Sequence, residues 1–298
     1  MRRLLRADLF RAFGAPRLRG WALPFAAAVA AISLLSVGLT WFVGSDLYLE
    51  LARAMGSAAT AESLGAAGAL ASPVALWNSS FTGNGILGLA ACFSMAYLQV
   101  SDTRDGFGKS LGAGLASRVS LLVERCVFAG VVSLVYVLVG IAFSSGGAAA
   151  LGLSVGPESP LVCLAWLGLL WAATWAIAVV TLALCWFFRK TTPTCYITAF
   201  FVESASLPQL VNALGYAGAG ALLSFLSPLK DQLFTASQWF SSMVYQNMCL
   251  GTKVLALPAQ GLVGVPGGYV AQALLVCALW GAACLGVLTW CARRSDLA

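Results

Sequence analysis

Histidine is absent from this chain, and charged residues make up only 9% of it, whereas hydrophobic residues make up 60%. The lack of histidine removes the commonest general base and metal ligand of proteins. The nine cysteines form no CxxC pair, so neither a zinc site nor a redox site is indicated. A soluble helical protein of 298 residues would need polar helix faces, which so few charges do not supply. These absences argue against most enzyme classes and favour a membrane protein.

Long apolar runs take the place of the missing charges. A bilayer core of about 30 Å needs roughly 20 apolar residues of helix to cross it, and a backbone in lipid must satisfy its own hydrogen bonds. The sequence therefore predicts an all-α polytopic membrane protein with six transmembrane helices in a single domain, 1–298. The predicted spans are about 21–43, 81–100, 119–143, 160–188, 194–226 and 269–291.

The basic residues predict the orientation of these spans, because cytoplasmic loops carry an excess of Lys and Arg. With the N-terminus inside, three of the 17 basic residues fall outside, namely Arg53, Lys230 and Lys253. The other 14 fall on the inner side, so we expect both termini inside. Anionic lipid on that side accounts for the net charge of +6, and no nucleic-acid partner is predicted.

The N-terminal residues 1–19 predict a short helix on the inner membrane surface, ended near Gly14 and Pro16. Leu5, Leu9 and Phe13 share one helical stripe, and Asp8 lies off it. An ordinary positive-inside flank is the alternative. No cleavable signal peptide is predicted. The fifth span is too long for a straight helix, and Pro208 predicts a kink or break there.

The connector between the second and third spans holds seven charged residues within 102–125, between apolar segments that have almost none. Its loop, 102–118, contains Asp105, Gly106, Phe107 and Lys109 and leads to Ser117 and Arg118. Arg125 follows Arg118 by two helical turns, roughly on the same face. The pattern predicts a turn and a short helix at the membrane surface, with cations that can meet anionic lipid or an acidic partner.

This arrangement resembles the permease subunits of ABC-2-type ABC transporters, in which an acidic residue, a Gly, an apolar residue and a base form a coupling helix. A Ser-Arg pair then opens span three, with a base seven residues later. The Pro often found before Ser-Arg is replaced by Ala116 here. The resemblance covers the topology of the whole chain and about twenty residues of motif. The coupling residues that it implies are Asp105, Gly106, Phe107, Lys109, Ser117, Arg118 and Arg125.

The resemblance implies a non-catalytic exporter subunit in a bacterial plasma membrane, paired with a second permease subunit and a cytoplasmic ABC ATPase. ATP and Mg would bind to the ATPase, so no cofactor is expected in this chain. The substrate class implied is an amphipathic molecule such as an antimicrobial peptide or a drug, as in bacitracin- and lantibiotic-immunity permeases.

Glu203 supports an alternative function. A carboxylate at this depth in the predicted fifth span is unfavourable unless it faces a partner, a bundle interior or water. It would serve a secondary transporter or channel as an ion or proton site, or else it packs helices as a hydrogen-bonded or protonated acid. An intramembrane enzyme is a third class, against which the lack of histidine and of paired acids argues.

Overall fold

The computed structural model describes most of the chain. It covers the residue ranges 2–14, 20–54, 72–104, 118–187, 192–217, 228–259 and 265–294. Within these ranges the protein is built of α-helices with short π- and 3₁₀-helical turns and contains no β-strand. The predicted all-α class is therefore confirmed.

Five helices are long and apolar enough to cross a membrane. They are α2 (Leu23–Val43), α5 (Ile86–Arg104), α6 (Arg118–Ala150), α7 (Pro160–Phe187) and α12 (Gly268–Arg294). They match five of the six predicted spans, with ends that differ by several residues, and they indicate a membrane-embedded protein. Shorter helices lie between them: α1 (Arg2–Leu9), α3 (Asp46–Ala54), α4 (Pro73–Trp77), α8 (Thr192–Glu203), α9 (Ser206–Ala217), α10 (Lys230–Ser237) and α11 (Ser241–Asn247).

Helix α7 is the centre of the bundle and packs against α5, α6, α8, α11 and α12. Two of its indoles fix the neighbouring helix, since Trp171 donates to the Gly130 carbonyl at 2.9 Å and Trp175 to the Cys126 carbonyl at 3.0 Å. A Cβ on Gly281 of α12 would lie 2.7 Å from the Trp175 ring, so the small residue lets α12 approach. Helices α2 and α12 keep most of their apolar surface exposed and form the periphery.

The fifth predicted span is not one helix in the described residues. Helix α8 ends at Glu203, the chain turns at Ser204 and Ala205, and α9 begins at Ser206. Ala205 has a φ of 52°, in the left-handed region that non-glycine residues seldom adopt. The predicted break exists, but it precedes Pro208. The proline lies in the first turn of α9, where its missing N–H breaks no intrahelical bond.

The segment before α12 packs into the bundle. Val244 and Tyr245 of α11 are buried. Met248, the first residue of the 3₁₀ turn that follows (Met248–Ala256), is buried as well. Asn78, which begins a π-helical turn (Asn78–Thr82), donates to the Cys249 carbonyl at 2.7 Å. The sequence predicts a helix on or dipping into the outer face at 227–268, and the structure shows that residues 241–256 of this stretch pack against the bundle.

Candidate functional site

The N-terminal helix is docked on the ends of two long helices. Leu5, Leu9 and Phe13 are partly buried against the core, as their shared stripe predicts, and Ala12 is fully buried. Asp8 lies off this stripe and is also buried, at 3% exposed, because it has basic partners within the protein.

Five charged residues from three segments meet where α5 ends and α6 begins, and we call them the ion-pair cluster. They are Asp8, Arg11, Asp102, Glu124 and Arg125. Arg125 lies 2.9 Å from Asp8 and 2.6 Å from Asp102, measured between guanidinium nitrogen and carboxylate oxygen. The Arg125 N–H bonds are not aligned with these oxygens, so the contacts are ion pairs without good hydrogen-bond geometry.

Arg11 completes the connection. It donates to Asp102 from both terminal nitrogens at 3.2 Å and to Asp8 at 3.3 Å. Asp8 and Asp102 thus each contact both arginines, which joins the N-terminal segment to α5 and α6. Since the side chains of Asp8, Asp102 and Arg125 are all less than 15% exposed, water screens these pairs only weakly.

Glu124 is the exceptional member of the ion-pair cluster. Its side chain is fully buried, and neither carboxylate oxygen accepts a hydrogen bond from another residue that the structure describes. The Arg125 Nε lies 3.8 Å from one of these oxygens. If all five groups are ionised, three carboxylates face two guanidinium groups and one negative charge is in excess. A proton on Glu124 would remove that excess charge.

The predicted coupling residues fall mostly outside the described residues. Asp105, Gly106, Phe107, Lys109 and Ser117 belong to 105–117, and Arg118 is described only as the first residue of α6. Arg125 is described, and it is buried in the ion-pair cluster. Its acidic partners therefore lie in this chain, and any effect of Arg125 on a separate subunit would pass through α1, α5 and α6.

Glu203 lies at the opposite end of α5 from the ion-pair cluster. It is 7% exposed and ends α8 beside the first turn of α5. Its carboxylate packs on Gly85, where a Cβ would lie 2.7 Å from the Glu203 Oε1. In the described part of the chain we find no hydrogen bond to this carboxylate. The start of a helix favours a negative charge, which gives one physical reason for an acid at this position.

Two glycines and a tyrosine shape the surroundings of Glu203. The Gly88 N–H donates to the Tyr245 hydroxyl at 2.7 Å, which satisfies a backbone donor in the first turn of α5. Gln246 donates to the backbone carbonyl of Glu203 at 3.3 Å, where α8 ends. Glu203 thus faces the interior of the described bundle, and the small residues at 85 and 88 make room for it.

The sequence analysis singled out Asp8 and Arg125 but did not bring the members of the ion-pair cluster together. Asp8 is the only acid among the basic residues of 1–19, and Glu124 lies six residues inside α6. An acid in either place needs a partner, and that was the available signal. The identity of the partners follows from helix packing, which the sequence pattern does not contain.

No family model, curated protein or solved structure matches this chain.

Proposed function

We propose that the chain is the membrane subunit of an ABC exporter, coupled through its connector to a separate ATPase subunit. In this proposal the chain has six spans and both termini inside, pairs with a second permease subunit in the plasma membrane, and exports an amphipathic substrate such as an antimicrobial peptide. The supporting observation is the ion-pair cluster, which joins both sides of the connector to the N-terminal helix.

The geometry explains how force on the connector would spread. Residues 105–117 continue from α5 and lead into α6, and Asp102 and Arg125 lie just outside them. Because Arg125 contacts both Asp102 and Asp8, a push on the connector would move α1, α5 and α6 together. A partner that binds can shift such a unit from one conformation to another only if the partner contacts the two conformations differently. The connector is the part of the chain on which an ATPase would make that difference.

Charge reversal in the connector tests the proposal. The double variant Lys109→Glu with Arg118→Glu is expected to lose co-purification of the ATPase at least tenfold, since both cations would become repulsive to an acidic docking surface. Membrane insertion should be intact. The measurement is the ATPase-to-permease ratio after affinity purification in mild detergent, with chromatographic homogeneity as the check on folding.

Lys253→Glu is the matched control, because Lys253 is exposed on the predicted outer side. It should leave the ratio unchanged. A chain that recruits no ATPase in any form, together with transport driven by a proton gradient alone, would contradict the proposal.

A second candidate function is a secondary transporter that uses Glu203 as its ion or proton site. It is favoured by the buried carboxylate at the break between α8 and α9, since discontinuous helices often form transporter ion sites. Glu203→Gln keeps the size of the side chain and removes its charge. In the exporter this variant should retain most ATP-driven transport at every pH.

Uptake or efflux assays in proteoliposomes at pH 6 and pH 8 distinguish the two functions. Loss of gradient-driven transport and of its pH dependence in Glu203→Gln would establish the second function. Asp231→Asn provides the control, because Asp231 is an exposed acid on α10.

A further inference from the structure

A cavity of about 590 Å³ has neither Glu203 nor any member of the ion-pair cluster in its lining. Side chains from α7, α8, α9, α11 and α12 line it, together with Phe240. Val180 and Ala183 come from α7, Val202 from α8, Leu207 from α9 and Ala283 from α12. The volume and the mostly apolar, partly aromatic lining are those of small-molecule sites, which range over about 300–1,000 Å³.

The cavity lies between two of the long helices. Its lining extends from Val180 to Phe187 on α7 and from Trp280 to Val287 on α12, which is about 10 Å of helix in each case. One wall is fixed, because the Phe240 and Trp280 rings pack at 5.6 Å and Trp280 donates to the Trp239 carbonyl at 2.8 Å. An apolar volume between helices suits a segment of hydrocarbon chain, and apolar cavities favour apolar ligands over water.

One part of the lining is polar. Ser241 and Ser242 are 3% and 7% exposed, and neither hydroxyl hydrogen-bonds to another described residue. Both hydroxyls are open to the cavity, so a ligand inside it can provide the hydrogen-bond partner that the described residues do not. The third polar side chain, Thr198, already donates to the Thr194 carbonyl at 2.8 Å.

We propose that this cavity binds one hydrocarbon chain of an amphiphile, with that chain between α7, α8 and α12 and a hydrogen-bonding group of the same molecule at Ser241 and Ser242. The ligand chemistry is an acyl or alkyl chain that ends in a carboxylate, ester or hydroxyl. A bilayer lipid and an exported amphiphile both provide it. The inference rests on the membrane embedding and on the cavity, and it does not require the ATPase partnership.

The experiment uses the purified full-length chain in detergent and 11-(dansylamino)undecanoic acid as the fluorescent probe. Ala283→Trp, which adds an indole at the cavity wall, should weaken probe binding at least tenfold. Ala282→Trp is the matched control, because Ala282 is the exposed neighbour on α12 and does not line the cavity. Equal affinities for the two variants would overturn the proposal.

The polar end has its own test, which does not depend on a bulky substitution. Ser241→Ala with Ser242→Ala should weaken binding about three- to tenfold, as expected for lost hydrogen bonds. Displacement of the probe by palmitic acid should weaken in parallel, whereas displacement by hexadecane should be unchanged. If each competitor displaces the probe equally well from the unmodified chain and from the double variant, the serines do not bind the ligand.

Lipid mass spectrometry distinguishes the two sources of the ligand. Phospholipid that co-purifies with the unmodified chain and with Ala282→Trp, but is depleted in Ala283→Trp, identifies a bilayer lipid. The other outcome is that all three proteins retain equal amounts of phospholipid and only probe binding is lost in Ala283→Trp. That result identifies an exported amphiphile as the ligand. If neither phospholipid nor probe differs among the three proteins, the cavity is not a ligand site.

Discussion

Arg125→Met is expected to lower the free energy of unfolding by about 3–5 kcal/mol, the usual effect of removing one partner from a buried ion pair. Arg125 is 5% exposed and contacts Asp8 and Asp102, so its loss leaves two carboxylates with only Arg11 beside them. Titration of the detergent-solubilised protein with dodecyl sulfate, followed by circular dichroism, would measure the change. We expect α1 to detach as well, which proteolysis of the N-terminal segment would detect.

Glu124→Gln is the matched control, one residue away in the same cluster. It removes the excess negative charge and keeps the shape, so we expect a change within about 1 kcal/mol or a gain in stability. Adding Asp8→Asn and Asp102→Asn to Arg125→Met should restore part of the loss. Equal destabilisation by Arg125→Met and Glu124→Gln would show that the cluster is not held by Arg125.

Gly88→Ala is expected to destabilise the protein by about 1–3 kcal/mol, the usual cost of overfilling a packed core. The added Cβ would lie 2.7 and 2.8 Å from Cε1 and Cζ of Tyr245 and 2.9 Å from Cγ of Glu203. It would also push the Tyr245 hydroxyl away from the Gly88 N–H, which donates a hydrogen bond to it. The midpoint of thermal unfolding, measured by tryptophan fluorescence in detergent, should fall.

Gly38→Ala supplies the comparison, because a Cβ on Gly38 would meet nothing within 4 Å. Alanine is the better helix former, so this variant should be neutral or more stable by up to about 1 kcal/mol. Opposite signs for the two substitutions are the expected outcome. A neutral Gly88→Ala would mean that α5, α8 and α11 are not packed as described.

The sequence predicted the fold well where composition alone decides it. A run such as 160–188 is apolar on all sides, so only a buried or membrane-spanning helix fits it, and α7 covers nearly the whole run. The fifth span was predicted less well. Pro208 drew attention because proline ends helices, but the turn at Ala205 depends on a left-handed backbone that no residue type there requires.

The functional regions were only partly predictable for a different reason. Glu203 could be identified from the sequence as a candidate functional residue, because an acid in an apolar run is unfavourable unless it faces a partner, a bundle interior or water. The setting itself comes from Gly85, Gly88 and Tyr245, which are distant in the sequence. In the same way, the sequence shows Arg125 as part of a basic pattern. Its contact with Asp8, 117 residues earlier in the chain, depends on how α1 docks.

The docking of α1 has a consequence for biogenesis. Asp8 and Arg11 are translated well before their partners in the ion-pair cluster: Asp102 follows near the end of α5, and Arg125 follows only after α2 and α5 are complete. Domains form as their parts emerge from the ribosome, so α1 cannot complete its ion pairs until α6 has been synthesised. The α1 segment is therefore translated before α6 but reaches its final position only after it, and a nascent chain arrested before Arg125 would lack the Arg125–Asp8 contact.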